Sequence, residues 1–225
     1  MSEIQMIVIL SLLGGALSVD ATAALQVMLS QPLVAGSIAG AIVGEPVLGL
    51  VVGSTLQLVW IGVLPVGAAP FPDGAVAGSV GVGVAAVLAG SGVSEGLAVA
   101  AGMMSGLIGG AVGQRVTSRV RRLNVRYSAI AESRAEQGDA RGVRAAVALG
   151  LVTRFVTASL LVAALLSASL LLRFLGSFTV EGIFPTALWA APVAAATIAV
   201  GGRDRRESWF LAAGFAAGLV LVVLL

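Results

Sequence analysis

No lysine or arginine occurs before Arg115, and the residues ahead of it include only five acidic side chains: Glu3, Asp20, Glu45, Asp73 and Glu95. A stretch of this length with so few charges cannot cover itself with a water-facing surface. The whole chain is 58% hydrophobic and 11% charged, whereas a soluble domain carries about a quarter charged residues. Several of its apolar runs approach the roughly 20 residues needed to cross a bilayer. The expectation is an all-α membrane protein, a multi-pass helical bundle. The 30 glycines follow no triplet repeat, and small residues at this density suit helices that approach one another closely.

Histidine and cysteine are both absent. That excludes disulfides, thiolate nucleophiles, histidine general bases and histidine-based metal sites. No catalytic residue, metal or cofactor is expected, and the chain has no histidine or cysteine to carry a phosphoryl group. A sequence pI near 10.4 could suggest nucleic acid, but the formal net charge is only +2, and no nucleic-acid partner is expected. The N-terminus has no basic n-region and no small-residue cleavage site followed by a soluble domain, so it reads as the first membrane segment.

All 13 basic residues are arginine. Arg115, Arg119, Arg121, Arg122, Arg126, Arg134, Arg141 and Arg144 form one cluster, and Arg203, Arg205 and Arg206 a second. Basic residues are retained on the cytoplasmic side, which places a cytoplasmic basic loop at about 115–144. Two apolar runs, Ala145–Leu172 and Ile183–Val200, fit the even number of crossings required between the clusters. Trp209–Leu225 would cross once more and leave the C-terminus outside. The whole chain, 1–225, reads as one transmembrane domain. Its Val116–Arg144 segment mixes Arg, Glu and Ala at helical spacing, as a solvated cytoplasmic helix or hairpin does. A docking surface for a soluble partner is the alternative.

The N-terminal third predicts broken or re-entrant helices. An apolar run from Met6 stops at Asp20 and another resumes at Ala21–Leu29. Leu33–Gly44 would rise only about 18 Å, short of the hydrocarbon core. It ends at Glu45-Pro46, where proline disfavours helical geometry in the preceding residue. The segment from Leu64 to Gly74 holds Pro65, Pro70 and Pro72 with Gly67 and Gly74 and cannot form a regular helix. Interrupted apolar segments point to a transporter's binding site, and an ordinary interfacial loop is the other reading. Gly36, Gly40 and Gly44 share one helix face and predict close packing, with a partner subunit as one candidate.

Polar side chains at membrane depth are functional candidates because an unpaired charge there is costly. Asp20, Gln57 and Asp73 each adjoin a helix break or lie deep in an apolar run, and a hydroxyl-rich ligand suits them. Glu45 can equally sit at a water-exposed helix end, and Arg154 can snorkel to the interface. Carboxylates also suit proton or cation coupling, so the residues alone leave both open.

Gln31-Pro32-Leu33-Val34-Ala35-Gly36, Gly44-Glu45-Pro46 and Gly49-Leu50-Val51-Val52-Gly53-Ser54-Thr55-Leu56-Gln57-Leu58 form a pattern with Gly62, Pro65-Val66-Gly67-Ala68-Ala69 and Pro72-Asp73. Together they resemble the IIC subunit of the mannose/fructose/sorbose-type phosphoenolpyruvate-dependent sugar phosphotransferase system, most strongly over about residues 15–80. Asp20 is similar to an aspartate upstream of the family's Pro-Leu segment, and Arg154 to an arginine in its later helical region. The resemblance implies a bacterial plasma-membrane subunit that moves a hexose or related sugar together with a IID membrane subunit. Soluble IIA and IIB phosphocarriers would phosphorylate the sugar, and an oligomer is implied. Asp20, Gln57, Gly67 and Asp73 are then the candidate sugar-binding residues, with Glu45, Pro46 and Arg154 in structural or coupling roles. Gln31 stands where the family often has arginine, and Gln57 where several members have glutamate. These departures leave open a divergent or regulatory paralogue. An ion- or proton-coupled secondary transporter using the same carboxylates is the competing reading, and a non-transporting membrane scaffold is a third.

Overall fold

A computed structural model describes residues 1–61, 63 and 70–171. Six helices form there, in the order α1 (Glu3–Thr22), α2 (Pro32–Val43), α3 (Pro46–Val59), α4 (Gly74–Gly90), α5 (Glu95–Glu136) and α6 (Ala140–Ser169). The architecture is an all-helical, multi-pass membrane bundle. Helices α1, α5 and α6 are long and apolar enough to cross a membrane, and α2, α3 and α4 are shorter apolar helices. The apolar run at 183–200, the last apolar run, Arg173, the second arginine cluster and Gly67 lie outside the described residues.

Helix α4 is the axis of the fold. Fourteen of its 17 residues are buried, and it packs against all five other described helices. Its sequence, built almost wholly from Gly, Ala and Val, explains this position. A helix apolar on every side must be covered on every side. Its glycines let neighbours close in: a Cβ on Gly78 would lie 2.8 Å from the Gly36 nitrogen, and one on Gly81 would lie 3.0 Å from the Gly102 oxygen.

Helices α2 and α3 form a short antiparallel hairpin. At 12 and 14 residues, they rise only about 18 and 21 Å, less than the hydrocarbon thickness. Gly44 ends α2 with φ +87°, a left-handed cap that glycine adopts without strain. Pro46 then opens α3 at its first turn, where a missing N–H costs nothing. Glu45 and Pro46 are both exposed at this hairpin tip. The glycine face of α2 packs inside the chain: Gly36 and Gly40 meet Gly53 and Gly49 of α3, and Gly44 serves as the cap.

One segment differs from the sequence expectation. The apolar stretch after Asp20 builds no second helix. Asp20 lies in the last turn of α1, the chain leaves helical geometry after Thr22, and it stays irregular until Pro32. The basic segment at 115–144 takes the expected helical hairpin form: the second half of α5, a turn at Gln137–Asp139, and the start of α6. Gly138 makes that turn at φ +70°, and Asp139 caps α6 by accepting from the Arg141 and Gly142 amides at 3.1 and 2.9 Å.

The α2–α3 seam tolerates no side chain. A Cβ on Gly40 would stand 2.6 Å from the Gly49 Cα, so the helices must separate to accept one. We expect Gly40→Val to destabilise the bundle by about 1–3 kcal/mol, the usual range for overpacking. Thermal unfolding in detergent measures this. Gly90→Ala, where nothing lies within 4 Å, should leave the melting temperature unchanged or slightly raised.

Candidate functional site

The site assembles where the ends of two helices, α1 and α4, meet the sides of two others, α5 and α6. Asp73 is the N-cap of α4, and its carboxylate accepts from the Val76 amide at 3.2 Å. Arg154, midway along α6, donates from Nη2 to Asp73 Oδ2 at 2.6 Å. Both side chains are almost fully buried, at 2% and 1% exposure. Ser18 of α1 joins from the other side, donating to the Asp73 carboxylate at 3.2 and 3.3 Å. Its backbone oxygen accepts from Arg154 Nε at 3.1 Å. The Asp73 amide donates to the Gly110 oxygen of α5 at 3.1 Å. One ion pair thus ties α1, α4, α5 and α6 together. Arg154 is no interfacial, snorkelling side chain; it lies inside the bundle.

Asp20 works on the backbone. Its two carboxylate oxygens accept from the Val27 amide at 2.9 Å and the Ser30 amide at 3.1 Å. The loop between holds Leu25, Gln26 and Met28 at φ of 67°, 55° and 68°. Non-glycine residues in this region cost about 1–3 kcal/mol each and persist only where the surroundings fix them. Asp20 is a fixed point of that loop, itself 3% exposed.

A cavity of about 700 Å³ opens beside this network. The strained loop contributes Gln26, Met28, Ser30 and Gln31 to its wall, and Phe71 and Pro72 come from the irregular segment before α4. Helix α5 adds Thr117, Val120, Arg121 and Asn124, and Asp20, Trp60 and Arg154 complete the polar and aromatic lining. The Arg121 guanidinium lies 5.3 Å from the centre of the Phe71 ring, within cation–π range. Two polar atoms of this wall, Arg154 Nη1 and Asn124 Oδ1, are buried without a hydrogen-bond partner. One is a donor and the other an acceptor. Burying such groups unpaired is costly, and both atoms keep hydrogen-bonding capacity that the described residues do not use.

The structure therefore brings Asp20, Asp73 and Arg154 to one place. Asp20 and Arg154 line the cavity, and Asp73 stands behind its neighbours Pro72 and Gly74, which also line it. Gln57 is half-buried on α3 outside this lining, its Oε1 buried and unpartnered. It lies one turn before Trp60, whose ring packs onto Gly110. Glu45 and Pro46 sit apart at the exposed hairpin tip. Sequence reasoning missed Ser18, Trp60 and Asn124. A serine in an apolar helix is unremarkable by itself, and Asn124 is a single amide among arginines; only the tertiary arrangement gives either a role.

Known proteins share both sequence and shape with this chain. A PTS system sorbose-specific EIIC component from Lacticaseibacillus casei is 35% identical over 69 residues, 31% of this chain and 24% of that protein. A fructose permease IIC component from Bacillus subtilis is 36% identical over 69 residues, 31% of this chain and 25% of that protein. The matched stretch thus spans about a quarter of the length of these curated relatives. In shape, a solved membrane protein matches with a TM-score of 0.66 at 18% identity, covering 95% of this chain and 85% of its own. The mannose transporter ManYZ, solved in complex with a microcin, matches at 0.59 and 19% identity, covering 95% and 84%. These likenesses establish a shared fold. The model of the family described as the PTS system sorbose-specific IIC component matches residues 2–171, and the chain belongs to that family.

Proposed function

We propose that this chain is the sugar-translocating IIC subunit of a mannose-type phosphotransferase system in a bacterial plasma membrane. It moves a hexose or related sugar together with a IID membrane subunit, while soluble IIA and IIB subunits carry the phosphoryl group. The observation that carries this reading is the cavity wall, which offers an unpaired buried donor on Arg154 and an unpaired buried acceptor on Asn124. A polyol supplies hydroxyls that donate and accept at once. Trp60 and Phe71 add the apolar surface that the C–H face of a sugar ring prefers. The curated relatives' names, which specify sorbose and fructose, support a monosaccharide, and the ManYZ complex supports a second membrane subunit. With neither histidine nor cysteine in the chain, phosphoryl transfer is assigned to the partners, and the bias of basic residues to the inner side assigns the basic segment to the cytoplasm.

In this reading Asp73 and Arg154 hold the site together as well as serving it. Arg154 fixes its guanidinium with Nε and Nη2 on Ser18 and Asp73, which leaves Nη1 for the sugar. Asp20 sets the wall that Gln26, Ser30 and Gln31 present. Gln57 belongs to the adjoining part of the sugar path, Glu45 and Pro46 turn the hairpin that flanks it, and Gly67 stays a candidate on the family resemblance alone.

Three expected outcomes follow. Phosphoenolpyruvate-dependent sugar uptake should appear in vesicles containing the chain with its IID, IIA and IIB partners; uptake driven by an ion gradient without phosphoenolpyruvate would instead establish the coupled-transporter reading. Asp73→Asn alone leaves a buried arginine unpaired and should cost about 3–5 kcal/mol of stability. The Asp73→Asn/Arg154→Gln double variant should recover much of that stability in detergent yet remain defective in uptake. Wild-type transport by the double variant removes these residues from the site. Asp20→Ala should release the loop, seen as faster hydrogen exchange at the Val27 and Ser30 amides, and weaken sugar binding. Unchanged exchange at both amides would refute its anchoring role.

A further inference from the structure

The second half of α5 carries a cationic stripe that the sugar path does not use. Arg115, Arg119, Arg122 and Arg126 follow one another at intervals of four, three and four residues, so they share one helix face, and all four are exposed. The cavity takes the opposite face, through Thr117, Val120, Arg121 and Asn124. Among the described residues the ion pairs are Arg134–Asp139 and Arg154–Asp73, so no described carboxylate pairs with the stripe. Arg115 reaches only its own helix, donating to the Ala111 oxygen at 3.4 Å.

The register of the α5–α6 hairpin fixes what lies at the same level. The Tyr127 hydroxyl is 3.4 Å from Thr153 Oγ1. A Cβ on Gly150 would lie 3.5 Å from Asn124 Oδ1, and one on Gly109 would lie 3.5 Å from Leu165 Cδ1. The stripe, about 16 Å long, therefore runs beside the middle of α6. There α6 presents Val152, Val156 and Leu160 outward, at 55%, 41% and 64% exposure. The hairpin is amphipathic as a two-helix unit, with apolar residues on the outside of α6 and arginines on the outside of α5 at the same height. Simple projection of α5 into water would carry the apolar α6 face out with it. Burial of both in hydrocarbon would strand four cations. Apolar residues flank the stripe on both sides, with Leu123 at 40% and Val125 at 68% exposure.

We propose that this face of α5 lies along the anionic phospholipid headgroups of one leaflet. Arg115, Arg119, Arg122 and Arg126 reach lipid phosphates, their apolar stems running along the interface. Leu123 and Val125 dip into the boundary with the acyl chains, the division of labour of an interfacial helix. The α6 face is then immersed while the arginines stay at headgroup depth. This departs from both a fully solvated basic segment and a docking face for a soluble partner, and it is independent of which solute the cavity takes.

The test uses the whole chain in nanodiscs of phosphatidylcholine and phosphatidylglycerol. The chain has no cysteine, so Val125→Cys accepts a single spin label. We expect native mass spectrometry to show phosphatidylglycerol retained over phosphatidylcholine by about tenfold, as four arginines near an anionic surface would give at least. The label should be shielded from a water-soluble nickel relaxant. The Arg115→Gln/Arg119→Gln/Arg122→Gln/Arg126→Gln variant should lose the lipid preference. Should that variant fail to fold, the matching lysine variant must keep the preference, and wild-type protein in about 1 M salt, where the Debye length is about 3 Å, must lose it. Equal retention of the two lipids overturns the proposal. So does a label in bulk water, including one shielded only after a soluble acidic protein is added, or failure of either the lysine or the salt result.

Discussion

The contact between Asp73 and Arg154 is the constraint around which this bundle is arranged. Two charges removed from water require excellent geometry and further hydrogen bonds to offset their desolvation. Here the geometry is supplied by four helices: the α4 N-terminus donates to Asp73 through Val76, α1 contributes the Ser18 hydroxyl and carbonyl, α6 carries the arginine, and α5 accepts the Asp73 amide. Each of these elements must hold its position for the pair to close. Close approach is possible because the neighbouring position on α5 is Gly113, where a Cβ would stand 2.6 Å from that of Asp73. The glycine-rich composition is therefore tied to the charged centre, because only thin helices bring a carboxylate and a guanidinium so deep into an apolar bundle.

The membrane class and the helical architecture could be read from the sequence because they depend on bulk properties. Runs of Ala, Val, Leu and Gly without basic residues have few alternatives to crossing helices. The short α2–α3 hairpin was legible for the same reason, since Gly44-Glu45-Pro46 stops one helix and starts the next by local chemistry. Tertiary assignments were less accessible. The glycine face of α2 announced a close partner without naming it, and the partner is the glycine face of α3. Arg154 had two readings because its distance from Arg144 along the chain says nothing about which way the residue points. The pairing with Asp73 spans 81 positions, and no local pattern encodes it. Asn124 and Ser18 carried no sequence signal at all, because their roles arise from burial.

Why the cavity lies where it does follows from what the breaks in the helices leave behind. Ending α1 at Thr22 and starting α4 at Gly74 frees backbone amides inside the bundle, where water is scarce and each must find an acceptor. Asp20 takes the Val27 and Ser30 amides, and Asp73 takes that of Val76. The two buried carboxylates are therefore the groups that make irregular backbone tolerable at this depth. They also hold that backbone against a cavity instead of lipid, since Gln26, Ser30, Phe71 and Pro72 all face it. Because the carboxylates are already engaged by backbone and by Arg154, the polar valence left over belongs to their neighbours, Arg154 Nη1 and Asn124 Oδ1. On the proposed reading a ligand is met by atoms one layer removed from the carboxylates that stand out in the sequence, and the residues easiest to single out are the supports of that site.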